Sequence, residues 1–126
     1  MAKLEVAGGR VEVVLSQKER LAALRGDVSA ALGEIAAVRV SPHPFGELRG
    51  IRAPGTGVPG VIALGTWRHR GGKDFLAIYR RRPAVVVEFV PGCEFDRLIV
   101  GVEDPDETIT RIRAAITSAK PTAPAL

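Results

Sequence analysis

Two basic clusters carry the most charge available for chemistry. Arg68, His69 and Arg70 with Lys73 fall in one predicted turn, and Arg80, Arg81 and Arg82 in the next. Such groups attract phosphate or an anionic membrane surface, at about 1 kcal/mol per basic side chain near an acidic bilayer. The competing expectation is solvated turns that protect strand edges. A third candidate is the glycine-rich stretch 49–60, where backbone N–H groups could cradle an anion and Arg49 and Arg52 supply charge. It lacks the Gly-Lys-Ser/Thr ending of a phosphate loop and runs into a strand rather than a helix. Structural cover over one end of the fold is its competing reading.

Catalytic constellations are thin. Ser16 is engaged as a helix cap, and no Gly-x-Ser-x-Gly elbow occurs. Cys93 lies beside Glu94, a neighbour that raises a thiol pKa, so no nucleophile is expected there. His43 is held between two prolines, and His69, flanked by arginines, is expected at the surface. Glu88 follows three valines in a strand. Facing inward it could act as an acid or base, but an outward position beside Arg97 is expected. No catalytic residue, metal ligand or organic cofactor is expected, and the chain reads as a non-enzyme.

The elements that position these groups follow from composition and pattern. The chain has 126 residues, 46% hydrophobic and 25% charged, which suits a single domain with a real core. That domain is expected over 1–119, with 120–126 a flexible tail. One cysteine and two histidines exclude a disulfide framework and the common zinc modules. No apolar stretch is long enough to span a membrane, and residues 1–5 lack a signal-peptide core, which favours the cytoplasm. Of 18 basic residues 14 are arginine, against 14 acids, for a net charge of +4. That modest excess and the few aromatics (Trp67, Tyr79 and four phenylalanines) argue against nucleic acid as a partner.

Alternating runs at 3–7 and 10–15, joined by Gly8-Gly9, predict a tight hairpin, because both glycines accept positive φ. Ser16 to Glu19 is a capping box that opens a short helix, with Leu21 and Leu24 on one face and Gly26 at its end. Strands are expected at 27–32 and 34–40, with Gly33 as a break or bulge between them, and Pro42 and Pro44 stop the second. Residues 46–60 read as a long irregular stretch. Runs at 61–67, 74–79, 84–90 and 97–102 then predict an up-and-down antiparallel meander. Asp104, Pro105 and Glu107 start a last helix, on which Ile109, Ile112 and Ile116 form one apolar stripe. The predicted core is Val11, Val13, Leu21, Leu24, Ile35, Val38, Phe75, Ile78, Val85, Val87, Phe89, Ile99, Ile109, Ile112 and Ile116.

The fold class is therefore mainly β with a short early helix and a C-terminal capping helix. That layout resembles a pleckstrin-homology-like (PH-like) antiparallel barrel or sandwich. Ser16 to Val38, with Gly26-Asp27-Val28 and then Leu32, Ile35 and Val38, looks like bacterial PH-like domains. The stretch from Leu48-Arg49-Gly50-Ile51-Arg52 through Gly65-Thr66, and from Asp74-Phe75 to Phe89, resembles uncharacterised actinobacterial proteins of that kind. The resemblance covers almost the whole chain and implies binding: phosphoinositides in some members, peptides or partner subunits in others. Lipid-binding members place basic residues around the first hairpin, whereas here its tip has Arg10 with Glu5 and Glu12 nearby, a departure from that pattern.

Residues 61–64 and 84–87 are continuously apolar, so both faces of their strands must be covered, by the helix and the glycine-rich stretch or by another subunit. A non-catalytic module docking a protein partner or a second copy of itself is the expected function. The alternative is a binder of anionic ligands or acidic membranes, with Arg49, Arg52, Arg68, Arg70, Lys73, Arg80, Arg81 and Arg82 as candidates.

Overall fold

The computed structural model describes residues 2–23, 28–58 and 61–119, with side chains at all of these but 22, 51–56, 118 and 119. Gly8 and Gly9 take φ of 59° and 75°, the two positive values a tight hairpin needs, and fold β1 (Lys3–Ala7) onto β2 (Arg10–Val14). The Ser16 N–H donates to Glu19 Oε1 at 2.9 Å and the Glu19 N–H donates to Ser16 Oγ at 3.2 Å, closing the capping box of α1 (Gln17–Ala23).

The face of α1 turned inward is not the predicted one. Glu19 and Ala23, one turn apart, are buried, while Leu21 stands on the other side, 77% exposed. Glu19 can take an inward position because its carboxylate is fully engaged, by Ser16 and by the Tyr79 hydroxyl. The predicted positions of Leu24 and Gly26, like the tail at 120–126, lie outside the described residues.

β3 (Val28–Ala31) completes a three-stranded antiparallel sheet in the order β1-β2-β3. A 3-10 turn at Leu32–Glu34 breaks the chain at Gly33 and passes it into β4 (Ile35–Ser41), which ends before Pro42. A second 3-10 turn, Pro44–Glu47, leads to β5 (Ile51–Val58). The expectation of an irregular 46–60 stretch fails here. Residues 51–58 pair antiparallel with β6 (Ile62–His69), and the register shifts between Arg52 and Gly55, where Pro54 has no N–H to donate.

β7 (Gly72–Tyr79), β8 (Ala84–Phe89) and β9 (Arg97–Gly101) complete a six-stranded sheet in the order β4-β8-β9-β7-β6-β5. β9 therefore lies between β7 and β8, parallel to β7 and antiparallel to β8, which corrects the up-and-down meander. The connection at 80–83 leaves a gap between β7 and β8, and the loop from 90 to 96 returns the chain into it as β9. The two sheets are not closed on each other.

Both faces of the six-stranded sheet are apolar. One face packs Val38, Phe75, Ala77, Val85, Val87, Leu98 and Val100 against the small sheet, Leu15 and Ala23, and α2 (Pro105–Ala119). α2 starts as predicted, with the Glu107 N–H donating to Asp104 Oδ1 at 3.0 Å, and buries Ile109 and Ile112. Ile35 and Ile116 pack half-buried at the edge of this core. The other face carries Ala63, Trp67, Leu76, Ile78, Ala84, Val86 and Ile99, against which Phe45 and Leu48 pack. Leu76, Ile78, Ala84, Val86 and Ile99 are 0% exposed within a single chain. The run 84–87 is thus covered from inside the molecule, as are Ala63 and Leu64 of the run 61–64, whereas Val61 is exposed. Among the described residues, no helix is long and apolar enough to cross a membrane.

Candidate functional site

The six-stranded sheet has two chemically different ends. On the face lined by Leu76, Ile78, Val86 and Ile99, the apolar rows end in a charged one, since Asp74, Arg97 and Glu88 share their parity on β7, β9 and β8. The register sets Asp74 beside Arg97 and Arg97 beside Glu88. Asp74 is fully buried, and its Oδ2 accepts from Arg97 Nη2 at 2.6 Å, Arg97 Nε at 3.1 Å and Arg49 Nε at 2.9 Å. Burial pushes the Asp74 carboxyl up, but Arg49 and Arg97 together hold it below its usual range.

Arg97 also donates to Glu47 Oε1 at 3.1 Å and to the Glu47 carbonyl at 2.7 Å, which pins the Pro44–Glu47 turn over the sheet. Arg39 bridges Glu47, at 2.8 Å, and Glu88, at 3.2 Å. The Arg39 hydrogen bonds pull the Glu47 carboxyl down to about 2. Glu88 is thus outward and paired, with Arg39 as its ion partner and Arg97 beside it in register. A cleft of about 420 Å³ opens here, lined by Arg49, Glu88, Phe89, Pro91, Asp96 and Arg97.

His69 ends β6 in the same corner, and its side chain is only 12% exposed, which corrects the expected surface position. The reason is Asp96. The bare Cα of Gly72 lets the Asp96 carboxylate fold over β7, where a Cβ would lie 2.8 Å from Asp96 Cγ, and the imidazole is closed in between Asp74 and Asp96. Gly50, at φ 85°, brings the chain equally close on the other side, since a Cβ there would lie 2.6 Å from the Arg68 carbonyl carbon.

Lys73, also at this end, pairs with Glu94 at 3.6 Å and stacks over the Phe95 ring. Arg68, within β6, and Arg70, in the turn after it, are exposed, while the Arg52 side chain lies outside the described residues. Cys93 donates to Glu34 Oε2 at 3.2 Å, and this bond, more than its sequence neighbour Glu94, holds the thiol above its ordinary value.

At the opposite end the arginines are unpaired. Arg80, Arg81 and Arg82 are exposed in the turn after β7, with no side-chain partner among the described residues. Arg81 takes φ 60°, rare for a residue with a Cβ. The Arg80 N–H donates to the Val61 carbonyl at 2.8 Å, which fastens this turn to the one joining β5 and β6. There Val58 and Val61 are 49% and 44% exposed. Tyr79 ties α1 to the same end through Glu19, and burial followed by that carboxylate pushes the phenol above its ordinary value.

The two basic turns thus stand at opposite ends of β7 and do not merge. Sequence reasoning missed Glu47, Asp74, Asp96 and most of the role of Arg97. The one signal it had was parity, because Asp74 and Arg97 fall on the buried side of runs with no wet face. Comparison of the chain with protein-family models, with curated proteins and with solved structures finds no match in any of the three.

Proposed function

We propose that the chain is a non-catalytic binding module of PH-like type that docks on acidic membrane surfaces through the Arg80, Arg81 and Arg82 end of its large sheet. The observation that carries the reading is the hydrogen bond from the Arg80 N–H to the Val61 carbonyl, which holds three unpaired arginines beside two half-exposed valines. Such a tip offers cations to headgroups and apolar side chains to the acyl boundary. The opening hairpin, the two sheets and the C-terminal helix support the PH-like part of the reading. Docking of a protein partner or second copy through 61–64 and 84–87 draws no support from the structure, because most of those side chains are covered within one chain.

The test is co-sedimentation with vesicles of neutral lipid and of neutral lipid mixed with phosphatidylserine, at low and physiological salt. Binding to the anionic vesicles alone, weakening with salt, is the expected result. Three arginines at about 1 kcal/mol each imply a roughly hundredfold loss when all three become alanine. Equal binding to both vesicle types, or none to either, overturns the reading.

A further inference from the structure

The buried corner at the other end of the sheet holds a polar atom with no hydrogen-bond partner among the described residues. His69 Nδ1 lies 3.2 Å from the Arg70 carbonyl oxygen, so Nδ1 carries the proton and donates to it. The other ring nitrogen, Nε2, faces the two carboxylates. That nitrogen is buried, completes no hydrogen bond, and lies 3.1 Å from Asp96 Oδ2 and 3.5 Å from Asp74 Oδ1. Three electron-rich atoms facing one another require a cation between them.

We propose that His69 Nε2, Asp74 Oδ1 and Asp96 Oδ2 form a site for a divalent transition-metal ion of the zinc type. The three atoms lie within 4.8 Å of one another. Donors bound at about 2.1 Å to one ion stand roughly 3.0 to 3.4 Å apart at tetrahedral or octahedral angles; the 3.1 Å from Nε2 to Asp96 falls in that range and the 3.5 Å to Asp74 lies just above it. One imidazole with two carboxylates is a borderline donor set that suits zinc, whereas magnesium and calcium prefer oxygen alone.

The donors also have the capacity. Arg97 and Arg49 crowd Asp74 Oδ2, but among the described residues Oδ1 accepts only from Arg49 Nη2, at 3.1 Å, and keeps a lone pair for the corner. Among the described residues the Asp96 carboxylate has only a 3.7 Å contact with Arg49 Nη2 besides His69, and its side chain is 37% exposed, which leaves a route for the ion to enter. The donors are also held in place: the Arg70 carbonyl accepts from His69 Nδ1 and the two arginines orient Asp74. Gly72 completes the pocket, because any larger residue would displace Asp96.

Zinc chloride titrated into the full chain at neutral pH, with heat measured and the His69 ring nitrogens followed by NMR, tests this directly. The expected result is one ion per chain, a Nε2 resonance moved to the metal-bound range with Nδ1 still protonated, and reversal by EDTA. His69→Gln and Asp96→Asn should each weaken binding by roughly tenfold or more, while Cys93→Ser should leave it unchanged. Asp74 is not varied, because its loss threatens the fold itself. No stoichiometric binding at micromolar protein overturns the proposal and leaves a proton as the cation on Nε2. Undiminished binding in both His69→Gln and Asp96→Asn overturns it equally, by placing the ion elsewhere.

Discussion

Arg97 and Arg81 are the same residue type put to opposite uses. Arg97 is 8% exposed and divides its guanidinium between Asp74 and Glu47. Arg81 stands in a turn at φ 60°, with no side-chain partner among the described residues. One end of the large sheet uses arginine to satisfy buried carboxylates and fasten the Pro44–Glu47 turn. The other leaves arginine to solvent, beside Val58 and Val61. Charge density along the sequence does not separate these roles. The triplet at 80–82 and the scattered Arg39, Arg49 and Arg97 differ in whether an acid lies across the strand or beneath the turn.

Breaking the structural end should give the largest effect. Asp74→Asn removes the buried counter-charge of Arg97 and leaves it Glu47 alone among the described carboxylates, and a loss of about 3 kcal/mol of stability is expected in urea unfolding. At the tip end, Glu19→Ala removes half of the capping box and the acceptor of the Tyr79 hydroxyl, with an expected loss of about 1–2 kcal/mol by the same measurement.

Acid sharpens the contrast. Glu47 has its carboxyl held at about 2 in the folded state, below its ordinary value of 4.5. Its contribution is therefore complete above about 4.5 and fades as pH falls toward 2. Asp74, also held low, adds loss in the same direction. Thermal unfolding followed between pH 5 and 2 should show the wild type losing stability more steeply than Glu47→Gln. The smallest effect is expected at Arg81. Arg81→Gly relieves a left-handed backbone position and should raise stability by about 0.5–1 kcal/mol while removing one vesicle-binding charge.

Much of the scaffold was legible locally. The Gly8-Gly9 hairpin, the Ser16 and Asp104 caps, the Gly33 break and the Ile109 to Ile112 stripe are each set by a few neighbouring residues. What was not legible depended on distant partners. β5 was hidden by Pro54 and its glycines, since only pairing with β6 makes 51–58 a strand. Leu21 misled because Glu19, read only as the capping-box acid, is satisfied inside by Ser16 and Tyr79. The corner around Asp74 needed the parallel pairing of β7 with β9, which no local pattern announces. His69 looked exposed between arginines because Asp96, 27 positions along the chain, is what closes over it.

The central claim is that the tip arginines serve binding and not folding. The direct measurement is a paired one on Arg80→Ala, Arg81→Ala and Arg82→Ala combined: urea stability, and co-sedimentation with phosphatidylserine-containing vesicles at low salt. The account expects an unfolding midpoint at or above that of the wild type, together with a roughly hundredfold loss of vesicle binding. Undiminished binding by the folded variant, or a lowered unfolding midpoint, would contradict it.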